Sequence, residues 1–222
     1  MCGRYALYAD RGLVKAVYDL QDVPDFDASY NVAPTQSILA VAADETGRHA
    51  DLYRWGLVPF WAKEIGKYNT INARAETVAS KPMYRAPFKE RRCLIPASGY
   101  YEWQAVAGGK QPYFIHAADN DLLSFAGVWD RWKQPDGETL LSAAIIVTAA
   151  NPDTREIHDR MPVILPRETW DAWLDPKNHD TKALQGLLKP APKGALASRP
   201  VSTRVNSPRN NGPELLEKEA AT

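Results

Sequence analysis

Cysteine is scarce in this chain: 222 residues contain two, Cys2 and Cys93. Two cysteines build no disulfide framework, so reduced thiols in a cytoplasmic setting are expected, nucleoid-associated if the source is bacterial. Histidine is nearly as scarce, with four residues, and none keeps metal-ligand spacing with a cysteine. No metal site and no cofactor are expected. Excess charge of either sign is missing too: 27 Lys and Arg balance 27 Asp and Glu. That excludes a global basic field, so any polyanion site must be a local patch. No apolar run approaches a membrane span, and Leu7-Tyr8 is followed at once by Asp10 and Arg11, so no signal peptide is expected. Internal repeats and low-complexity tracts are also lacking.

What is present is an ordinary globular composition, 45% hydrophobic and 24% charged. The chain begins Met1-Cys2-Gly3-Arg4. Loss of Met1 would give Cys2 a free α-amine two carbons from its thiol. An amine and a thiol so placed can capture an aldehyde twice, as a Schiff base and then as a five-membered thiazolidine. The amine titrates near ~8 and the thiol near ~8.5, so modest shifts make both nucleophilic at neutral pH. A small second residue is common, however, and most such cysteines do nothing.

The pattern along the chain predicts one α+β domain. A short strand is expected at Arg4–Tyr8. Asp10 should cap a helix to Leu20 with Leu13, Val14, Val17 and Leu20 on one face. Asp44-Glu45-Thr46-Gly47 should join strands Ser37–Ala42 and Ala50–Trp55 in a hairpin, followed by a loop to Lys67. Thr70–Thr77 reads as a strand that runs on as a helix to Tyr84. Strands follow at Arg91–Ile95, Gly99–Val106, Gln111–His116, Leu122–Trp129 and Leu140–Thr148. Gly108-Gly109, Asp119-Asn120-Asp121 and Pro135-Asp136-Gly137 separate the later ones as three consecutive hairpins. The sheet should be antiparallel and barrel-like or a sandwich, with peripheral helices. Pro152–Asp159, Arg167–Leu174 and Thr181–Leu188 read as helical. Met161–Leu165 and Pro200–Val205 read as strands. The domain should span 1–206, with 207–222 a variable, flexible tail.

Four polar islands interrupt the apolar pattern. Asn72-Ala73-Arg74-Ala75-Glu76-Thr77 is either a solvated strand end or an amide and a guanidinium aimed into a cleft. In Gly99-Tyr100-Tyr101-Glu102-Trp103, alternation puts Tyr101 and Trp103 on one face and Glu102 with Tyr100 on the other. Glu102 then faces water, or it faces an interior that raises its pKa and suits it to proton transfer. His158, in Ile157-His158-Asp159-Arg160-Met161-Pro162, is either an acid/base group or a structural helix-end histidine. The fourth island is an aromatic and basic belt: Trp55, Phe60 and Trp61 in one loop, with Arg85, Lys89, Arg91 and Arg92 near Met83, Tyr84 and Phe88. Such interleaving suits single-stranded nucleic acid, but it equally describes a tryptophan core with a solvated basic rim.

Taken together, these stretches resemble one family. Met1-Cys2-Gly3-Arg4, Asn31-Val32-Ala33-Pro34, Arg54-Trp55-Gly56-Leu57-Val58-Pro59, the Asn72–Thr77 stretch, Arg92-Cys93-Leu94-Ile95-Pro96, the Gly99–Trp103 stretch, the Ile157–Pro162 stretch and Val205-Asn206 look like the SOS-response-associated peptidase (SRAP) family. The resemblance runs from Cys2 to about Asn206, and its specificity lies in eight motifs standing in order. It implies an α+β fold around a barrel-like sheet and an abasic-site sensor that crosslinks to DNA. It implies Cys2 as the crosslinking residue, Asn72 as the residue positioning the adduct, and Glu102 and His158 as acid/base groups. Arg4, Arg74 and Arg160 would hold phosphates, and Gly3, Asn31, Pro34, Phe60, Trp61, Met83 and Trp103 would complete the DNA-binding set. The expected partner is single-stranded DNA with an abasic site, or a single-strand/double-strand junction, bound by a monomer. Two other readings are an N-terminal-cysteine peptidase that cuts its own Met1–Cys2 bond, and a non-covalent single-strand binder.

Overall fold

In a computed structural model that describes residues 2–66 and 70–218, strand β1 (Tyr5–Leu7) leads into helix α1 (Arg11–Tyr18). Asp10 caps α1, its carboxylate accepting the Leu13 N–H at 2.8 Å. Val14 and Tyr18 are buried, but Leu13, expected on the apolar face, is exposed. The chain continues through β2 (Ser29–Val32) into the hairpin of β3 (Ser37–Asp44) and β4 (Gly47–Trp55). Its tip is the two-residue turn Glu45-Thr46, with Gly47 at φ 120°. The loop expected up to Lys67 begins after Trp55, and Lys67 lies outside the described residues.

The strand expected at 70–77 is short, β5 (Asn72–Arg74), and turns rather than a helix carry the chain to α2 (Arg85–Glu90). Next come β6 (Arg92–Ala97), β7 (Gly99–Val106), β8 (Gly109–Ala117), β9 (Leu123–Lys133) and β10 (Thr139–Ala149). Of the three expected hairpins, β7–β8 and β9–β10 form. The turn at Asn120, with φ 64°, instead carries the chain from one sheet to the other. Residues 152–157 are turns, β11 is only Arg160–Pro162, and the helix expected from Arg167 splits into a 3₁₀ turn and α3 (Trp170–Leu174). Helix α4 (Thr181–Gly186) precedes β12 (Leu196–Pro200). The strand expected at 200–205 thus lies earlier, and Thr203–Asn206 is a 3₁₀ turn.

Strands β3, β4, β10, β9 and β6 close into a five-stranded barrel. Most pairings are antiparallel, as expected, but β10 runs parallel to β4 and to β5. A parallel pair needs no local turn, so it leaves no turn signature in the sequence. A second sheet, ordered β12-β8-β7-β1-β2, carries one face toward the barrel core. Tyr5, Leu7, Tyr100 and Ile115 are buried on that face. The opposite face buries Ala6, Tyr101, Phe114, Val201 and Val205, with Leu216 packed against them. Residues 207–218, expected as a tail beyond the domain, therefore fold back onto it. Leu215 is fully buried, and the Asn211 side chain accepts the Tyr30 N–H at 2.7 Å.

One buried cation joins the helices to the barrel. Arg92, grouped by sequence with the basic belt, is only 3% exposed. Its guanidinium donates to the carbonyls of Phe88, Lys89, Trp173, Asp175 and Asn178 at 2.5–3.0 Å. All but the Asn178 carbonyl lie at the C-terminal ends of α2 and α3, where unsatisfied acceptors and the helix dipole both favour a cation. Burial still lowers the Arg92 pKa, to about 10. Arg92 therefore does not belong to any nucleic-acid surface.

Candidate active site

Strand β1 places the N-terminal segment against β7. Tyr5 pairs with Tyr100, and the Tyr101 N–H donates to the Arg4 carbonyl at 2.9 Å. Beyond this strand the chain carries Cys2 into the core that also holds Tyr5 and Tyr100, within electrostatic reach of Glu102. Cys2 is fully buried, and its thiol is pushed far up by burial and then by the nearby Glu102 charge, while the Arg4 backbone N–H acts the other way. Tyr100 is also fully buried on the Glu102 face, in the electrostatic reach of both Cys2 and Glu102.

Glu102 is 3% exposed, which decides between the two readings left open by the sequence: it faces the interior, not water. Burial raises its carboxyl pKa, and His158 pulls it partly back. His158 Nε2 stands 3.9 Å from Glu102 Oε2. The Arg160 backbone N–H donates to His158 Nδ1 at 3.0 Å, and the exposed Asp159 carboxylate lies equally close to that nitrogen. A neutral His158 that accepts at Nδ1 carries its proton on Nε2, toward Glu102. Glu102 and His158 share an open cleft of about 550 Å³ with Trp103, Lys110 and Asn206. The Trp103 indole N–H donates to Asn206 Oδ1 at 2.8 Å, which fixes the ring at the cleft mouth.

Pro34, Trp61 and Met83 gather elsewhere, around a more apolar cavity of about 560 Å³ beside Trp55 and Ile71. Trp61 is 54% exposed there and the adjoining Phe60 58%, an unusual degree for such large rings. Asn72 lines neither cavity. It is half-buried on β5 opposite Ile145, and its buried Oδ1 accepts no hydrogen bond among the described residues. Arg74 is exposed on the same strand.

The other nominated residues have internal duties. Arg160 donates to Glu76 at 2.5 Å. Arg4 donates to Asn31 Oδ1 at 2.8 Å and to the Val205 carbonyl at 2.7 Å, and burial lowers its pKa. Asn31, expected at the DNA, is 1% exposed. Its amide donates to the carbonyls of Val205, Ser207 and Asn210 and is fully engaged. Sequence reasoning missed Lys110 and Asn206 as cleft residues. The Lys-bearing hairpin and the Val205-Asn206 pair were visible, but no local pattern ties either to Glu102.

The chain matches the family described as SOS response associated peptidase (SRAP) over residues 1–208. It is 43% identical to the abasic site processing protein YoqW of Bacillus subtilis, over 98% of this chain and 99% of that protein. It is 41% identical to the abasic site processing protein HMCES of Gallus gallus, over 78% of this chain and 59% of the longer relative. A crystal structure of a protein from Bacteroides thetaiotaomicron superposes with a TM-score of 0.86 at 28% identity, covering 99% of this chain and all of that one. A match over nearly the whole chain, with the same architecture behind it, places this protein in the SRAP family.

Proposed function

We propose that this chain captures abasic sites in single-stranded DNA covalently, through Cys2 freed of Met1. The observation that carries the proposal is that the fully buried Cys2 lies within electrostatic reach of the buried Glu102, itself 3.9 Å from His158. Relatives named as abasic site processing proteins support the lesion class.

The abasic deoxyribose opens to an aldehyde at C1′. The Cys2 α-amine adds to that carbon, and the resulting hydroxyl leaves as water when a carboxyl proton from Glu102 reaches it. The Cys2 sulfur then adds to the imine carbon while its proton passes, by way of Glu102, to the nitrogen. Aldehyde and aminothiol thus give a thiazolidine and one water. His158, with Nε2–H turned toward Glu102, holds that carboxyl in place and supplies the proton for sugar-ring opening. Phe60 and Trp61 are exposed rings on which unpaired bases can stack, which favours single strands or junctions. The same N-terminus gives the family's peptidase name a meaning: hydrolysis of the Met1–Cys2 bond yields the reactive residue.

The test mixes Met1-free protein with abasic single-stranded DNA and runs a denaturing gel without borohydride. A retarded band, with a peptide mass equal to Cys2 plus the sugar less water, is expected. A band seen only after borohydride would leave a Schiff base and remove the ring. Equal binding of intact and abasic DNA with no covalent product would leave a non-covalent binder.

A further inference from the structure

We infer that Lys110 is a phosphate anchor of the Glu102–His158 cleft, holding the DNA backbone next to the captured lesion. The inference rests on the abasic-capture reading and adds to it a binding residue on a different strand from those the motifs nominate.

The argument starts from the cations available. Of the three arginines expected to hold phosphates, Arg4, Arg74 and Arg160, two are spent inside the protein. Arg160 is held by Glu76, and Arg4 is held by Asn31 and Val205. Lys110, by contrast, is exposed, lines the cleft, and makes no ion pair among the described residues. Nothing else lining that cleft carries a permanent positive charge: its other walls are Glu102, Trp103, His158 and Asn206.

Its placement is also fixed. Strands β7 and β8 join through the two-residue turn Ala107-Gly108, where Gly108 takes φ 88°. Lys110 pairs with Ala105, and Trp103 with Pro112, so Lys110 and Trp103 lie on one face as diagonal neighbours. The Trp103 ring is pinned through its N–H to Asn206. An indole face and an ammonium group side by side, at the mouth of a cleft ending in an acid/base pair, match a base and its phosphate. A lysine at this point acts as a point charge and reads no sequence.

The experiment uses the full chain freed of Met1. The probe is a single-stranded oligonucleotide carrying a tetrahydrofuran abasic analogue, which has no aldehyde and cannot crosslink. Anisotropy gives affinity across salt concentration for wild type, Lys110→Gln, Lys110→Arg and Lys15→Gln, the last on α1 away from the cleft lining. Lys110→Gln should bind several-fold more weakly, with the slope of log K on log salt reduced by about 0.7, the value for one phosphate of a single strand. Lys110→Arg should keep the slope, as should Lys15→Gln. A wild-type slope in Lys110→Gln overturns the anchor, and wild-type crosslinking to natural abasic DNA in parallel leaves the capture reading standing. Wild-type protein that neither binds the analogue nor crosslinks overturns both.

Discussion

His158 presents Nε2 to Glu102 Oε2 at 3.9 Å while the Arg160 backbone N–H occupies its Nδ1. The ring is thus held at Nδ1 by main chain, with Nε2 turned toward Glu102. Because burial raises the Glu102 pKa, this carboxyl is shifted toward the neutral range where a proton shuttle is most effective. Glu102→Gln keeps the shape and removes the titration. Single-turnover crosslinking should slow on the order of 10²-fold and lose one limb of its pH profile, with binding of abasic DNA retained. Wild-type rates at every pH would leave Glu102 structural and shift the proton transfer to His158 alone.

The same residue makes a prediction about stability. A carboxyl whose pKa is raised on folding binds its proton more tightly in the folded state. Its contribution is fully present below the unfolded carboxyl pKa and is lost as pH rises through the folded value. At pH 7 to 8, Glu102→Gln should therefore melt higher than wild type by a few °C, and the two should converge toward pH 4. Thermal melts in the absence of DNA measure this. A difference that grows with acidity would reverse the assigned sign.

Cys2→Ser keeps the amine and removes the sulfur. It should form a hydrolysable imine, trapped only with borohydride, and permit strand cleavage by β-elimination. Heat-stable crosslinks from this variant without reductant would rule out the thiazolidine.

Arg74 and Arg4 should part company, although the motifs group them. Arg74→Ala should leave the melting temperature within about 1 °C and lower the salt slope of single-strand binding by about 0.7. Arg4→Ala breaks the bonds to Asn31 and Val205 and should cost roughly 1–3 kcal/mol in denaturant unfolding. Equal stability of the two variants would deny Arg4 its internal role.

Period and turn chemistry made much of this fold legible. The α1 cap at Asp10, the β3–β4 turn and the bounds of β7 came from local rules, because local hydrogen bonds and positive φ set them. The parallel pairing of β10 with β4 and β5 was invisible, since it joins segments far apart in sequence. Glu102 was placed on the right side of its strand by alternation, but only packing could say that this side was dry. The motifs marked Asn31, Arg4 and Arg160 without saying which way they point. Each satisfies a buried or paired group, a distinction that rests on three-dimensional neighbours such as Val205 and Glu76.

The bond from Arg4 to the Val205 carbonyl joins residues 201 positions apart. A ribosome adding ~5–20 residues per second needs roughly 10–40 s to travel that distance. During that interval the nascent Cys2 has neither its β7 neighbour at first nor its final clamp until the end. Cys2 is therefore among the first residues to be made and among the last to be housed. Shortened chains that stop before Val205 would carry the thiol without the clamp on Arg4 and without the Asn206 wall of the cleft.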